Sequence, residues 1–162
     1  MEKHIDQLEL RGKILLLGEV TEAELASLYR GAVALVFPSQ YEGFGLPPLE
    51  AMSYGVPVLA SRKGSLPEVC GEAVLYCDAD SHQDMAAKLV RLCFEKDLRD
   101  DLIHRGRKQV QRYTWQKTAE ATANLLSEVL GRTSGFDDAR AKGEVLETGG
   151  PGGHTPISDR ET

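Results

Sequence analysis

The chain reads as an α/β protein, a parallel sheet with helices on both faces. Short runs rich in Val, Leu and Ala alternate with segments whose apolar residues recur at helical spacing, and turn-forming Gly and Pro separate the two kinds of segment. A regular strand–helix alternation of this kind is the pattern that places crossover helices on a parallel sheet.

A helix-like stub precedes Leu15, and residues 13–17 form the first expected strand. Thr21-Glu22-Ala23-Glu24 then spells a capping box and opens a helix over residues 21–30. Residues 33–37, Val-Ala-Leu-Val-Phe, read as a short buried strand, after which Leu49, Met52 and Ser53 belong to a helix that Gly55-Val56-Pro57 stops. Residues 56–60 and 73–76 give two more strands with a short helix over 66–69 between them. Met85, Leu89 and Leu92 repeat at helical spacing, and further helices are expected over 98–111 and 114–130. The reading assigns residues 1–131 to one folded domain. Residues 132–162, which include Gly149-Gly150-Pro151-Gly152-Gly153, have few large apolar side chains and are expected to be a disordered tail.

At 162 residues and 41% hydrophobic content the chain suits one globular domain with a real core. No apolar run approaches the ~18 residues of a membrane span, so no transmembrane segment is expected. The net charge of −6 argues against a nucleic-acid partner, which needs a basic face. No signal-peptide core is visible at the start, and Cys70, Cys77 and Cys93 form no C-x-x-C pair. These features point to the cytoplasm, with the inner face of a membrane as a second location. His4, His82, His104 and His154 are scattered without an acid partner at readable spacing, so no metal is expected.

The chemistry concentrates in Glu42-Gly43-Phe44-Gly45-Leu46-Pro47-Pro48-Leu49-Glu50, on a strand–loop–helix joint. Ligands of open parallel sheets bind outside the carboxyl ends of the strands, where helix N-termini offer free N–H groups and partial positive charge. Gly43 and Gly45 lack a Cβ, so either can take positive φ and let the main chain approach a ligand; Pro47 fits a first helical turn, where its missing N–H is not needed. That is a plausible diphosphate cradle. Ionised Glu42 and Glu50 would repel an anion but accept hydrogen bonds from vicinal hydroxyls, so one carboxylate per sugar ring, hexose for Glu42 and ribose for Glu50, is the expected division. A helix dipole alone would also favour Glu50. Arg62 and Lys63 emerge at the same strand edge and could neutralise phosphate, though a solvated basic pair is the preferred reading. Ser39 reads as a turn hydroxyl, Glu68 as a helix-start acid, and Phe44 as a wedge against the core.

The full run from Phe37 through Val58 resembles the signature of group 1 (family 4) retaining glycosyltransferases, with similarity extending to Gly64-Ser65-Leu66-Pro67-Glu68-Val69 and weakly to Tyr113-Thr114-Trp115. The resemblance covers about residues 10 to 130 and implies a Rossmann-like C-terminal half of a GT-B fold. It also implies a nucleotide-diphosphate sugar as donor, with Glu42 as the catalytic, sugar-contacting acid and Glu50 on the ribose. Gly43, Phe44, Gly45 and Leu46 complete the donor-binding set, through backbone N–H groups and without a required metal or other cofactor. A whole enzyme of this kind would carry an N-terminal domain for the acceptor and an opening basic strand, neither of which matches residues here. The reading therefore expects little turnover by this chain alone unless a separate N-terminal domain chain completes it. A non-catalytic nucleotide-sugar-binding or regulatory module is the alternative. A nicotinamide-dependent enzyme is disfavoured by the lack of G-x-G-x-x-G after an N-terminal strand.

Overall fold

The computed structural model describes residues 2–130. Along them run α1 (Glu2–Gln7), α2 (Glu22–Gly31), β1 (Leu35–Phe37), α3 (Leu46–Ser53), β2 (Val58–Ser61), α4 (Leu66–Cys70), β3 (Leu75–Cys77), α5 (His82–Phe94), α6 (Lys96–Val110) and α7 (Trp115–Val129). The expected tail at 132–162 lies outside the described residues. Among the described residues, those up to Trp115 form one compact unit, and residues 116–130, which hold most of α7, belong to a second.

The capping box opens α2 as anticipated. The Thr21 hydroxyl accepts from the Glu24 N–H at 3.3 Å, and the Glu24 carboxylate accepts from the Thr21 N–H at 2.8 Å. The three strands are all parallel, in the order β1-β2-β3, with Leu35 opposite Val58 and Leu59 opposite Leu75. Every residue of the central strand β2 is buried. Successive side chains feed opposite faces: Val58 and Ala60 join Tyr29, Leu49, Met52 and Leu66, whereas Leu59 joins Cys77, Leu92 and Leu102. Helices α2, α3 and α4 thus supply one face of the sheet and α5 with the start of α6 the other, and the α/β, Rossmann-like expectation holds. Because the strands run the same way, the loops that leave them, at 38–45, 62–65 and 78–81, all start from one edge.

One expected strand is not formed. Residues 13–17 make only an isolated bridge, between Arg11 and Ile14, and Leu15 is 77% exposed. The apolar run was a sound strand signal, but a strand exists only through a partner's ladder, and β1, whose outer edge is unpaired among the described residues, does not take these residues up. Val33, expected at the start of β1, likewise lies outside it and is exposed.

Candidate functional site

Helix α3 opens on Gly45, whose φ of 101° lies in the left-handed region and whose side-chain position is closed: a Cβ there would sit 2.8 Å from Leu66 Cδ2. Gly43 differs. Its φ is not positive, and an added Cβ would meet nothing within 4 Å, so only one of the two glycines is demanded by backbone geometry. Leu46, Pro47 and Pro48 make the first turn of α3, and the two prolines bring no N–H. The donors at this helix mouth are therefore the Gly45 and Leu46 amides, preceded by those of Gly43 and Phe44. None of these four donates to an acceptor among the described residues.

The loop is held from the side by the connection that leaves β2. Ser65 N–H donates to the Glu42 carbonyl at 3.2 Å, and the Ser65 hydroxyl lies 3.0 Å from the same oxygen and 2.9 Å from the Phe44 carbonyl. The Phe44 ring, 43% exposed, meets Tyr113 edge-on at 5.7 Å and packs there at the rim of the core. Ser39 donates to the Tyr41 carbonyl at 2.9 Å, a turn hydroxyl as read from the sequence.

Glu42 is half-buried, and its carboxylate has no hydrogen-bond partner among the described residues. Glu50 is exposed on the second turn of α3, where it accepts from the Tyr29 hydroxyl at 3.2 Å. Tyr29 in turn stacks on Tyr54 with centroids 5.4 Å apart, and burial, reinforced by the Glu50 charge, pushes its hydroxyl up to about 12. Tyr29 was invisible as a site-associated residue in the sequence because it lies 21 positions from the acid it touches.

Neither expected basic residue stands free. Lys63 reaches Asp80 at 3.4 Å, and the Arg62 guanidinium lies 4.2 Å from the centroid of the Tyr76 ring. Asp80 also accepts from Gln40 at 2.8 Å, and these bonds, the Gln40 one foremost, hold its carboxyl below the usual range. Asp80 so ties together the loops after all three strands. A cleft of about 520 Å³ lies beside this tie, lined by Arg62, Lys63, Tyr76, Asp84 and Lys88 among others. It does not include Glu42 or Glu50, nor do two other clefts of about 800 and 360 Å³. The motif is open to solvent at Gly43, Phe44, Leu46 and Glu50, which are all exposed. Among the described residues no group of three His, Cys, Asp or Glu side chains is placed to hold a metal, and all three cysteines are free thiols. Neither does any described helix have the length and apolarity to cross a membrane.

The glycosyl transferases group 1 family profile matches residues 1–109, two thirds of the chain. The chain belongs to this glycosyltransferase family. O-antigen chain mannosyltransferase B of Escherichia coli is 41% identical over 113 residues, which are 70% of this chain and 30% of that protein. O-antigen chain mannosyltransferase RfbU of Salmonella typhimurium is 34% identical over 128 residues, 79% of this chain and 35% of its own length. This glycosyltransferase chain thus spans about a third of either relative. Among solved structures, sucrose-phosphate synthase from Thermosynechococcus elongatus superposes on it with a TM-score of 0.74 at 27% identity, covering 82% of this chain and 34% of the synthase. The C-terminal domain of the glycosyl transferase group 1 family protein LpcC from Francisella tularensis gives 0.60 at 32% identity, over 68% of this chain and 58% of the other. The glycosyltransferase motif and its sheet accordingly belong to the family's C-terminal domain.

Proposed function

We propose that this chain is the donor-binding part of a retaining hexosyltransferase, which moves a sugar from a nucleotide-diphosphate sugar to an acceptor. The observation that supports this best is the set of four unused backbone amides at the mouth of α3, flanked by one carboxylate without a partner and another on the following turn. The amides of Gly43, Phe44, Gly45 and Leu46 face the diphosphate, where the helix dipole adds to their attraction. Glu42, the catalytic acid of this reading, accepts from hexose hydroxyls, and Glu50, steadied by Tyr29, accepts from the ribose diol.

Departure of the diphosphate leaves positive charge on the sugar, and preorganised amides stabilise the negative charge that gathers on the leaving oxygen. No metal takes part in this reading. Such stabilisation is strong only where water is excluded, and the motif face is open. The second wall of the cleft, and with it the acceptor site, is therefore assigned to the part of the relatives' length that this chain does not match. In this reading residues 1–131 are the donor-binding domain and residues 132–162 a tail. The same openness favours a second reading, a nucleotide-sugar-binding module without turnover. Adding a cognate N-terminal domain separates them, since sugar transfer should appear only for the enzyme part.

Calorimetric titration with uridine, guanosine and adenosine diphosphate hexoses tests the donor assignment. The expected result is binding of at least one of them, with Glu50→Ala costing about 1.5 to 3 kcal/mol, the range for a hydrogen bond to a charged group. Equal affinity in the variant would remove Glu50 from the site.

A further inference from the structure

Serine at the first position before a helix ordinarily turns its oxygen toward the N–H groups of that helix. Ser65 stands at that position before α4, yet its side chain makes no capping bond. Its hydroxyl is spent instead on the motif loop, at 3.0 Å from the Glu42 carbonyl and 2.9 Å from the Phe44 carbonyl, with its own N–H adding a third contact at 3.2 Å to Glu42. The preceding Gly64 makes this approach possible: with φ at +57°, an added Cβ would lie 2.6 Å from the Glu42 carbonyl oxygen and 2.9 Å from its nitrogen.

The consequence follows from the planarity of the peptide group. In a trans peptide the C=O and the N–H of the next residue leave opposite edges of one plane. Turning the Glu42 and Phe44 carbonyls toward Ser65 therefore turns the Gly43 and Gly45 amides away from it, both to the side opposite the serine. Both of these N–H groups lack an acceptor among the described residues, although Gly45 is buried. A backbone amide left without a protein partner persists where something else fixes the backbone.

We propose that Ser65 is a positioning residue for the donor site: by gripping two alternate carbonyls from behind, it aims the Gly43 and Gly45 amides at the diphosphate of the nucleotide sugar. The inference rests on the donor reading given above. Gly64 is the space that lets the grip close. Ser65 touches no ligand atom; it acts through the orientation of two peptide planes that it does not belong to.

Amide-resolved nitrogen–proton NMR of the full chain tests this, with uridine, guanosine and adenosine diphosphates and their monophosphates as probes. In the wild type, the Gly43 and Gly45 signals should move with a diphosphate and less with its monophosphate. In Ser65→Ala the same two signals should already differ without ligand, and the diphosphate affinity should fall about tenfold, the equivalent of one charge-assisted hydrogen bond. Ser65→Thr, which keeps the hydroxyl, should restore both. No helix cap is lost in either variant, so thermal unfolding serves as the folding control. If the wild-type signals respond and Ser65→Ala responds with equal affinity, the positioning role is overturned while the donor reading stands. If the wild-type amides ignore every diphosphate, the donor reading falls and takes this inference with it.

Discussion

Gly43 and Gly45 occupy the same motif two positions apart and answer to different constraints. Gly45 is required by the fold, since its left-handed backbone and the nearby Leu66 methyl both oppose a side chain. Gly45→Ala should lower stability by about 1 to 3 kcal/mol in denaturant unfolding. Gly43 has ordinary φ and empty space beyond its Cα, so Gly43→Val should unfold within about 0.5 kcal/mol of the wild type. A valine there would nonetheless stand where a ligand must approach the main chain, and nucleotide-sugar affinity should drop. Wild-type affinity in Gly43→Val would argue that no ligand comes close at that point. The two acids and the glycine turn were readable in the sequence because they are contiguous and their spacing carries chemical meaning. Ser65, Tyr29 and Asp80 were not readable in these roles: each acts on a partner 17 to 40 positions away, and the sequence offers no local signal for a contact that only sheet topology creates.

The elements divide the same way. Capping chemistry and periodicity located α2, α5 and α6 within a few residues, because both signals are local. The run at 13–17 misled because strand formation depends on a neighbour that no local pattern reveals. Central strand β2 should dominate stability: Leu59→Ala, at a fully buried site, is expected to cost about 2 to 5 kcal/mol, and Leu15→Ala, at an exposed one, within about 0.5. Similar losses at both sites would mean that 13–17 is packed after all. The tyrosines make a pH prediction for the face formed by α2 and β3. Burial pushes Tyr29 and Tyr76 up to about 12, so their neutral forms are favoured by folding. The stability they contribute is whole below pH 10 and declines as pH rises through 12. Absorbance titration of the wild type against Tyr29→Phe and Tyr76→Phe should show the missing phenolate in each variant to be one that forms near pH 12, and loss of a phenolate that forms near pH 10 would contradict their burial.

At the scale of the molecule, the three loops that leave the sheet edge act as one surface. Asp80 links those after β1, β2 and β3, and Ser65 locks the second onto the first. The depressed Asp80 carboxyl makes the first of these ties acid-sensitive: its contribution is present above the ordinary aspartate value near 3.8 and is lost as pH falls below it. The chain spans about a third of its relatives' length, and the open character of this surface fits the proposal that the acceptor is held by another part of the protein. Weak binding by the chain alone is then expected, and the decisive experiment must tolerate it. Saturation-transfer NMR with a nucleotide-diphosphate hexose does so. The account predicts transfer to both ribose and hexose protons in the wild type, with selective loss of the hexose signal in Glu42→Gln and of the ribose signal in Glu50→Gln. No transfer in the wild type, or the same pattern in all three proteins, would contradict it.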